Sequence, residues 1–169
     1  MLVGIMSDSH GDARATADAV KLLTARGAQK LFHCGDICSP RVLDELAGRD
    51  VTFVWGNCDD PSPTLRRYVR DLGLTWPRPP VVVAPAGKKI GVYHGHEPNF
   101  RNAAFTENLD YLFYGHTHCY ADATENGCRL VNPGALYRAR VHTVALLDLA
   151  SDKLTFLRID TGQKVQVPT

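Results

Sequence analysis

The chain has 169 residues, 44% apolar and 22% charged, enough for one domain with its own core and ordinary for a water-soluble protein. A formal net charge of +1 excludes a broad basic field for nucleic acid or anionic membrane, and no apolar run approaches the ~18 residues of a membrane span. Five cysteines, an odd number without a CxxC pair, argue against a disulfide framework and for a reducing, cytoplasmic setting.

The chain opens on an apolar run, Leu2 to Met6, with no charged segment before it, so it reads as a first strand and not a signal peptide. That strand ends at Ser7-Asp8-Ser9-His10-Gly11. Asp12 then caps a helix to about Arg26, closed by Gly27, with Ala15, Ala19, Leu22 and Leu23 on its apolar face. Lys30 to His33 is a second strand, with Cys34-Gly35-Asp36 at its tip. Ser39-Pro40 starts a helix carrying Val42, Leu43 and Leu46. Val51 to Trp55 is a third strand ending at Gly56-Asn57-Cys58-Asp59. Ser62-Pro63 starts a third helix, with Leu65, Tyr68, Val69 and Leu72 turned inward and Gly73 as its stop. Three β-α units in a row predict a parallel sheet with helices packed on it.

The proline-rich stretch Trp76 to Pro80 fits neither a helix nor a central strand. Val81 to Val83 and Lys89 to Tyr93 form a hairpin across Ala86-Gly87, and the second strand ends at His94-Gly95-His96. A helix is expected over Phe100 to Asn108. Tyr111-Leu-Phe-Tyr-Gly-His-Thr-His118 is a buried strand that stops at a glycine and presents two imidazoles. Further strands are expected at Cys128 to Val131, His142 to Leu149 and Lys153 to Ile159, with turns at Asn132-Pro133-Gly134 and Ser151-Asp152. This strand-rich half suggests a second, mixed or antiparallel sheet stacked on the first. The tail from Gln163 is assigned to the surface, and the small basic groups (Arg66, Arg67 and Arg70; Lys88 and Lys89) to solvated faces.

The strand tips share a pattern. Asp8 and His10, then Asp36, Asn57, His94, and finally His116 and His118 follow five successive strands. Open α/β sheets bind ligands outside the carboxyl ends of their strands. Singly, each residue has an ordinary reading as a turn, cap or loop residue. Together they supply two carboxylates, one amide oxygen and four imidazoles, which suits two metal ions ~3.5–4 Å apart. This donor mixture favours Mn²⁺, Fe²⁺, Zn²⁺ or Ni²⁺ over Mg²⁺, with Mn²⁺ the first expectation. Two such cations lower the pKa of a bridging water, hold hydroxide ready and clamp a tetrahedral anion, which is apparatus for hydrolysing a phosphate ester. His33 and His142 fall outside the pattern and read as structural, with His33 close enough in sequence to line the site.

Asp8-Ser-His10, Gly35-Asp36, Gly56-Asn57-Cys58-Asp59, His94-Gly-His96 and Gly115-His-Thr-His118, with Asn132-Pro-Gly134, resemble the blocks of the calcineurin-like metallophosphoesterases. Their order and spacing are similar to the small single-domain bacterial and archaeal phosphodiesterase branch. The resemblance covers nearly the whole chain and implies one metallophosphoesterase domain over residues 1–169. It implies an αββα four-layer sandwich of two mixed sheets flanked by helices. It also implies that Asp8, His10, Asp36 and His118 hold one metal and that Asp36, Asn57, His94 and His116 hold the other. Asp36 would bridge the two, and the attacking group would be the bridging hydroxide. Asn57 and His96 would act at the phosphate, with Cys58 and His96 as substrate contacts.

Cys58 stands where many members carry a histidine given a general-acid role, so a good leaving group or metal assistance is expected, and a diester is favoured over a monoester. A small buried thiol with no catalytic part is the alternative for Cys58. Ala135 stands where serine often follows the Asn-Pro-Gly turn and should cost one hydrogen bond. The activity expected is a metal-dependent phosphodiesterase acting on a small phosphate ester. The alternatives are a phosphomonoesterase or nucleotide phosphatase on the same site and a protein-binding scaffold of the same fold, which need not retain all seven ligands. No membrane or nucleic-acid partner is expected, and a homo-oligomer is left open.

Overall fold

The structure is a computed structural model and describes residues 1–166. Six strands and three helices of the first half and end of the chain build one side of the molecule. β1 (Leu2–Met6), β2 (Lys30–His33) and β3 (Val51–Phe53) are parallel, linked by α1 (Ala13–Ala25) and α2 (Pro40–Leu46), with α3 (Pro63–Asp71) following β3. The caps are those the sequence specifies: Asp12 accepts from the Ala15 N–H, Ser39 from Arg41 and Ser62 from Leu65, with proline in the first turn of α2 and α3.

β4 (Val81–Val83) and β5 (Ile90–Val92) pair as the expected hairpin. The helix expected over residues 100–108 is only a 3-10 turn, Phe100–Asn102, and one α turn, α4 (Ala103–Thr106). Asn108 has φ of 49°, outside the helical range, so the segment cannot continue. β6 (Tyr111–Phe113) and β8 (Cys128–Asn132) run parallel. Between them in chain order comes β7 (Ala121–Glu125), a strand with no apolar stripe in its sequence. It is an exposed edge, paired to β8 through Asn126-Gly127, a turn type whose sequence signal is strong.

The second correction concerns the end of the chain. β9 (Thr143–Asp148), β10 (Lys153–Arg158) and β11 (Lys164–Val165) do not extend the second sheet. They return to the first, where β9 covers the free edge of β1 in antiparallel register. The sheets are therefore β11-β10-β9-β1-β2-β3 and β4-β5-β6-β8-β7, both mixed. The tail is only partly free surface, because Lys164 and Val165 pair with β10, and residues 167–169 of that tail lie outside the described residues.

Three apolar cores separate four layers. Met6, Leu23, Leu43, Leu46 and Val69 fill the space between the helices and the six-stranded sheet. Val3, Ile5, Phe32, Phe113 and Leu147 fill the space between the sheets. Leu112, Leu130 and Tyr114 pack under Ala103 and Ala104 on the far face. β1 shows how one strand serves two cores, since its period of two sends Val3 and Ile5 to one face and Met6 to the other. Tyr68 departs from its expected inward position. It is exposed, and its hydroxyl donates to Asp44 across α2 and α3.

Candidate metal centre

The carboxyl ends of β1, β2, β3, β5 and β6 meet at one edge of the sandwich, and the turns leaving them are held in unusual backbone. Asp8, His10, Asp36, His116 and His118 have φ of 55°, 43°, 55°, 68° and 57°, a region that side-chain-bearing residues seldom occupy. Loop-to-loop hydrogen bonds hold it. The N–H groups of Asp8, His10 and Gly11 donate to the carbonyls of Gly35, Asp36 and Ile37 at 2.9–3.0 Å, so the pairing of β1 with β2 continues past the strands. Asp59 adds a brace: its carboxylate accepts from the N–H groups of Ile37 (3.2 Å), Cys38 (2.6 Å) and Gly56 (2.7 Å).

Two glycines are needed for close approach. A Cβ on Gly56 would sit 2.1 Å from Asp36 Oδ1, and one on Gly115 would sit 1.9 Å from Ser7 Oγ and 2.6 Å from Asp8 Oδ2. The backbone itself forms the wall against which the carboxylates rest.

One group of donors is Asp8, His10 and His118. His118 Nε2 lies 3.3 Å from Asp8 Oδ1 and 3.1 Å from His10 Nε2. Asp8 is fully buried, and its Oδ1 has no hydrogen-bond partner among the described residues. Burial pushes its pKa above the usual carboxylate range, with the Ser7 hydroxyl and the His94 and His118 charges pulling the other way. A second group is Asp8, Asp36 and His94. Asp36 faces both directions: Oδ2 is 3.5 Å from His10 Nε2 and Oδ1 is 3.4 Å from His94 Nε2. Asn57 Oδ1 lies 3.1 Å from the same His94 nitrogen. Burial works against charge on Asp36, but hydrogen bonds from His94 and the Cys58 N–H outweigh it and hold its pKa far below the usual range.

Two of the imidazoles are oriented from behind. His94 Nδ1 donates to the Cys34 carbonyl at 2.7 Å and His118 Nδ1 to the Arg138 carbonyl at 3.3 Å, which turns each Nε2 toward the centre. An orphaned buried carboxylate oxygen and converging imidazole Nε2 atoms fit a divalent cation.

The seven sequence-derived positions are not equivalent. Six lie in these close contacts. His116 packs its ring 5.1 Å from that of His94, centroid to centroid, outside both tight groups, while its N–H donates to Asp8 Oδ2. His96 is exposed, with its ring 5.3 Å from His94. Cys58 is exposed too, grouped with His10 and Asp36. His33 is structural, as expected. It is fully buried against Ser9 Oγ at 2.7 Å, which also accepts from Thr16, and burial lowers its pKa to about 3. His142 takes no part among the described contacts of the centre. Ala135 is fully buried beside the site.

Sequence reasoning missed Glu97 and the work of Asn132. Glu97 accepts from the N–H groups of His94 and Gly95 at 3.0 and 2.7 Å, and Asn132 donates to the Gly115 carbonyl at 2.8 Å. Each holds a ligand-bearing turn. The only sequence signal was position, one residue after His96 and the first residue of the Asn-Pro-Gly turn.

A mixed αββα sandwich with carboxylates, imidazoles and an amide gathered at its strand tips is that of a metallophosphoesterase. The chain belongs to the calcineurin-like phosphoesterase superfamily, whose domain it matches over residues 1–152. It is similar to phosphodiesterase MJ0936 of Methanocaldococcus jannaschii, 26% identical over 88% of this chain and 93% of that one. It is also similar to phosphodiesterase YfcE of Escherichia coli K12, 28% identical over 77% of this chain and 76% of that one. A solved structure described as a novel archaeal phosphodiesterase superposes with a TM-score of 0.83 at 24% identity, covering 94% of this chain and 99% of that one. Among the described residues no helix is long and apolar enough to cross a membrane.

Proposed function

We propose that this chain is a phosphodiesterase that uses two divalent cations, Mn²⁺ first among them, to hydrolyse a small phosphate ester in the cytoplasm. The observation that carries the reading is Asp36, whose two oxygens face His10 on one side and His94 on the other. Asp8, His10, Asp36 and His118 would hold one cation, and Asp36, Asn57, His94 and His116 the other. Cations bound there would supply an acidified water as nucleophile and charge to bind the phosphate oxygens.

The chain's own residues do the rest. The Cys34 and Arg138 carbonyls keep His94 and His118 in the tautomer that presents Nε2. His96, exposed at the rim, is placed to contact the phosphate, and the Asn57 amide, beside Cys58 Sγ at 3.5 Å, to orient it. The retained set of seven donors favours an enzyme over a scaffold, and the similarity to two phosphodiesterases favours a diester over a monoester. Five free cysteines suit a reducing compartment.

A turnover panel tests this. Aryl diesters, aryl monoesters and cyclic nucleotides are offered with manganese, nickel, zinc and magnesium in turn. Metal-dependent hydrolysis with the aryl diester ahead is the expected result. Hydrolysis of none of them with any metal would sink the enzyme reading, and a monoester in front would sink the diester preference.

A further inference from the structure

A cavity of about 440 Å³ lies between the start of α2 and α3, within the size range of small-ligand sites. Its inner wall is Ile37, Leu43, Trp55 and Leu65, and Tyr68 closes its outer side. Cys38 and Cys58 line it as well. Those two residues also touch the metal centre: the Cys58 N–H donates to Asp36 Oδ1 at 2.9 Å, and Cys38 Sγ lies 3.9 Å from His10 Nδ1. The cavity therefore adjoins the centre.

From this we infer that the cavity takes one ester substituent of the substrate, and that this substituent is uncharged and aromatic. The inference rests on the phosphodiesterase reading and narrows its substrate class.

Two observations argue for the chemistry. The lining contains no lysine, arginine or histidine, so nothing there would balance a second phosphate or a nucleic-acid backbone. Of its two acids, Asp59 is occupied by three backbone N–H groups and Asp60 is exposed at the edge. The remaining wall is aliphatic and aromatic, with Trp55 already packed edge-on to Phe53 at 5.1 Å between ring centroids.

The test compares phenylphosphonate with methylphosphonate, titrated calorimetrically into the manganese-loaded protein. The phenyl compound should bind about tenfold tighter or more, the factor expected from burying an aromatic ring. Thr64→Trp, at an exposed position of α3 on the cavity rim, should bring the ratio close to one by filling the space. A wild-type ratio near one, or a preference that survives Thr64→Trp, overturns the inference. A second measurement does not depend on the variant folding. Phenol added to the metal-free protein should shift the Trp55 indole N–H resonance, assigned with Trp55→Phe, and an unmoved resonance also overturns the inference. If phenol shifts that resonance while no phosphate ester is turned over with any metal, the cavity assignment stands and the phosphodiesterase reading falls.

Discussion

Asp8 and Asp36 are buried carboxylates at the tips of adjacent parallel strands, both in left-handed backbone, both in reach of imidazoles. Their surroundings differ. Asp36 Oδ1 accepts the Cys58 N–H and lies beside His94, and its pKa is held down. Asp8 Oδ1 has no partner among the described residues, and burial pushes its pKa up. The protein thus compensates the charge of Asp36 internally and balances that of Asp8 only in part. A buried carboxylate oxygen without a hydrogen bond costs stability. Its retention at the one point where His10 and His118 converge is what a cation site requires. On the two-cation reading proposed above, the difference separates two jobs: Asp36 would join the halves of the centre, and Asp8 would be set against folding so that binding is favoured.

The largest effect is expected at the joining residue. Asp36→Asn should lower kcat/KM for an aryl diester with manganese by about 10³-fold, since one charged contact to both sides is lost. Calorimetry should show weaker binding of both metals. Activity within tenfold of wild type would break the contrast, because Asp36 would then join nothing.

A smaller effect tests whether the wall behind Asp8 is built to fit. Gly115→Ala places a Cβ 1.9 Å from Ser7 Oγ and 2.6 Å from Asp8 Oδ2, and the nearby groups belong to a turn that cannot retreat from β2. Unfolding in denaturant should show a loss of about 1–3 kcal/mol, the range for overpacking a filled site. An unchanged midpoint would mean the turn is looser than its hydrogen bonds indicate.

Smaller again, and opposite in sign between the two carboxylates, is the response to neutralisation without metal. In excess chelator at neutral pH, Asp8→Asn should stabilise the protein by about 1 kcal/mol, because a desolvated charge is removed. Asp36→Asn should destabilise it. The pH dependence follows. The Asp8 pKa is raised on folding, so its charge opposes folding above that raised value and the penalty is relieved as pH falls through it. The Asp36 pKa is lowered, so its contribution is present above the unfolded value of about 3.8 and lost below it. The advantage of Asp8→Asn over wild type should therefore shrink on acidification while the deficit of Asp36→Asn persists to lower pH. Two variants shifting in the same direction at neutral pH would erase the comparison.

Much of this centre was legible from periodicity and strand ends. Apolar runs stopping at Asp, His or Asn placed Asp8, His10, Asp36, Asn57, His94 and His118 together without any contact information, because parallel β-α units put their carboxyl ends on one edge. What the sequence did not carry was non-local. Whether Thr143–Asp148 joined β8 or returned to β1 depends on which edge was left open, and an apolar strand fits either. β7 was hidden because an edge strand needs no apolar face, although Asn126-Gly127 marked its turn. Tyr68 occupied a helical position that looked inward, but its hydroxyl found Asp44 on α2 instead. The compensation of Asp36 and the isolation of Asp8 were equally invisible, since both read simply as aspartate after a strand.

The smallest predicted effect lies on the compensated side, at Cys58. Its N–H serves Asp36, and its side chain is exposed beside the Asn57 amide. What desolvation it has, together with the Asp36 carboxylate, raises the thiol pKa, so it stays protonated near neutral pH but is a weak proton donor. A poor donor matters little for a good leaving group and more for a monoester, whose additional charge makes departure harder to assist by the phosphate alone. Cys58→His keeps the backbone N–H on Asp36 and adds a proton donor of ordinary imidazole acidity. The ratio of aryl monoester to aryl diester turnover should rise by roughly tenfold, below the roughly 10²-fold of a general acid whose surroundings are built for it. The metal affinities should hold, because the substituted side chain is not one of the seven donors. A ratio that does not move would remove Cys58 from the chemistry and leave it only its backbone part in holding Asp36.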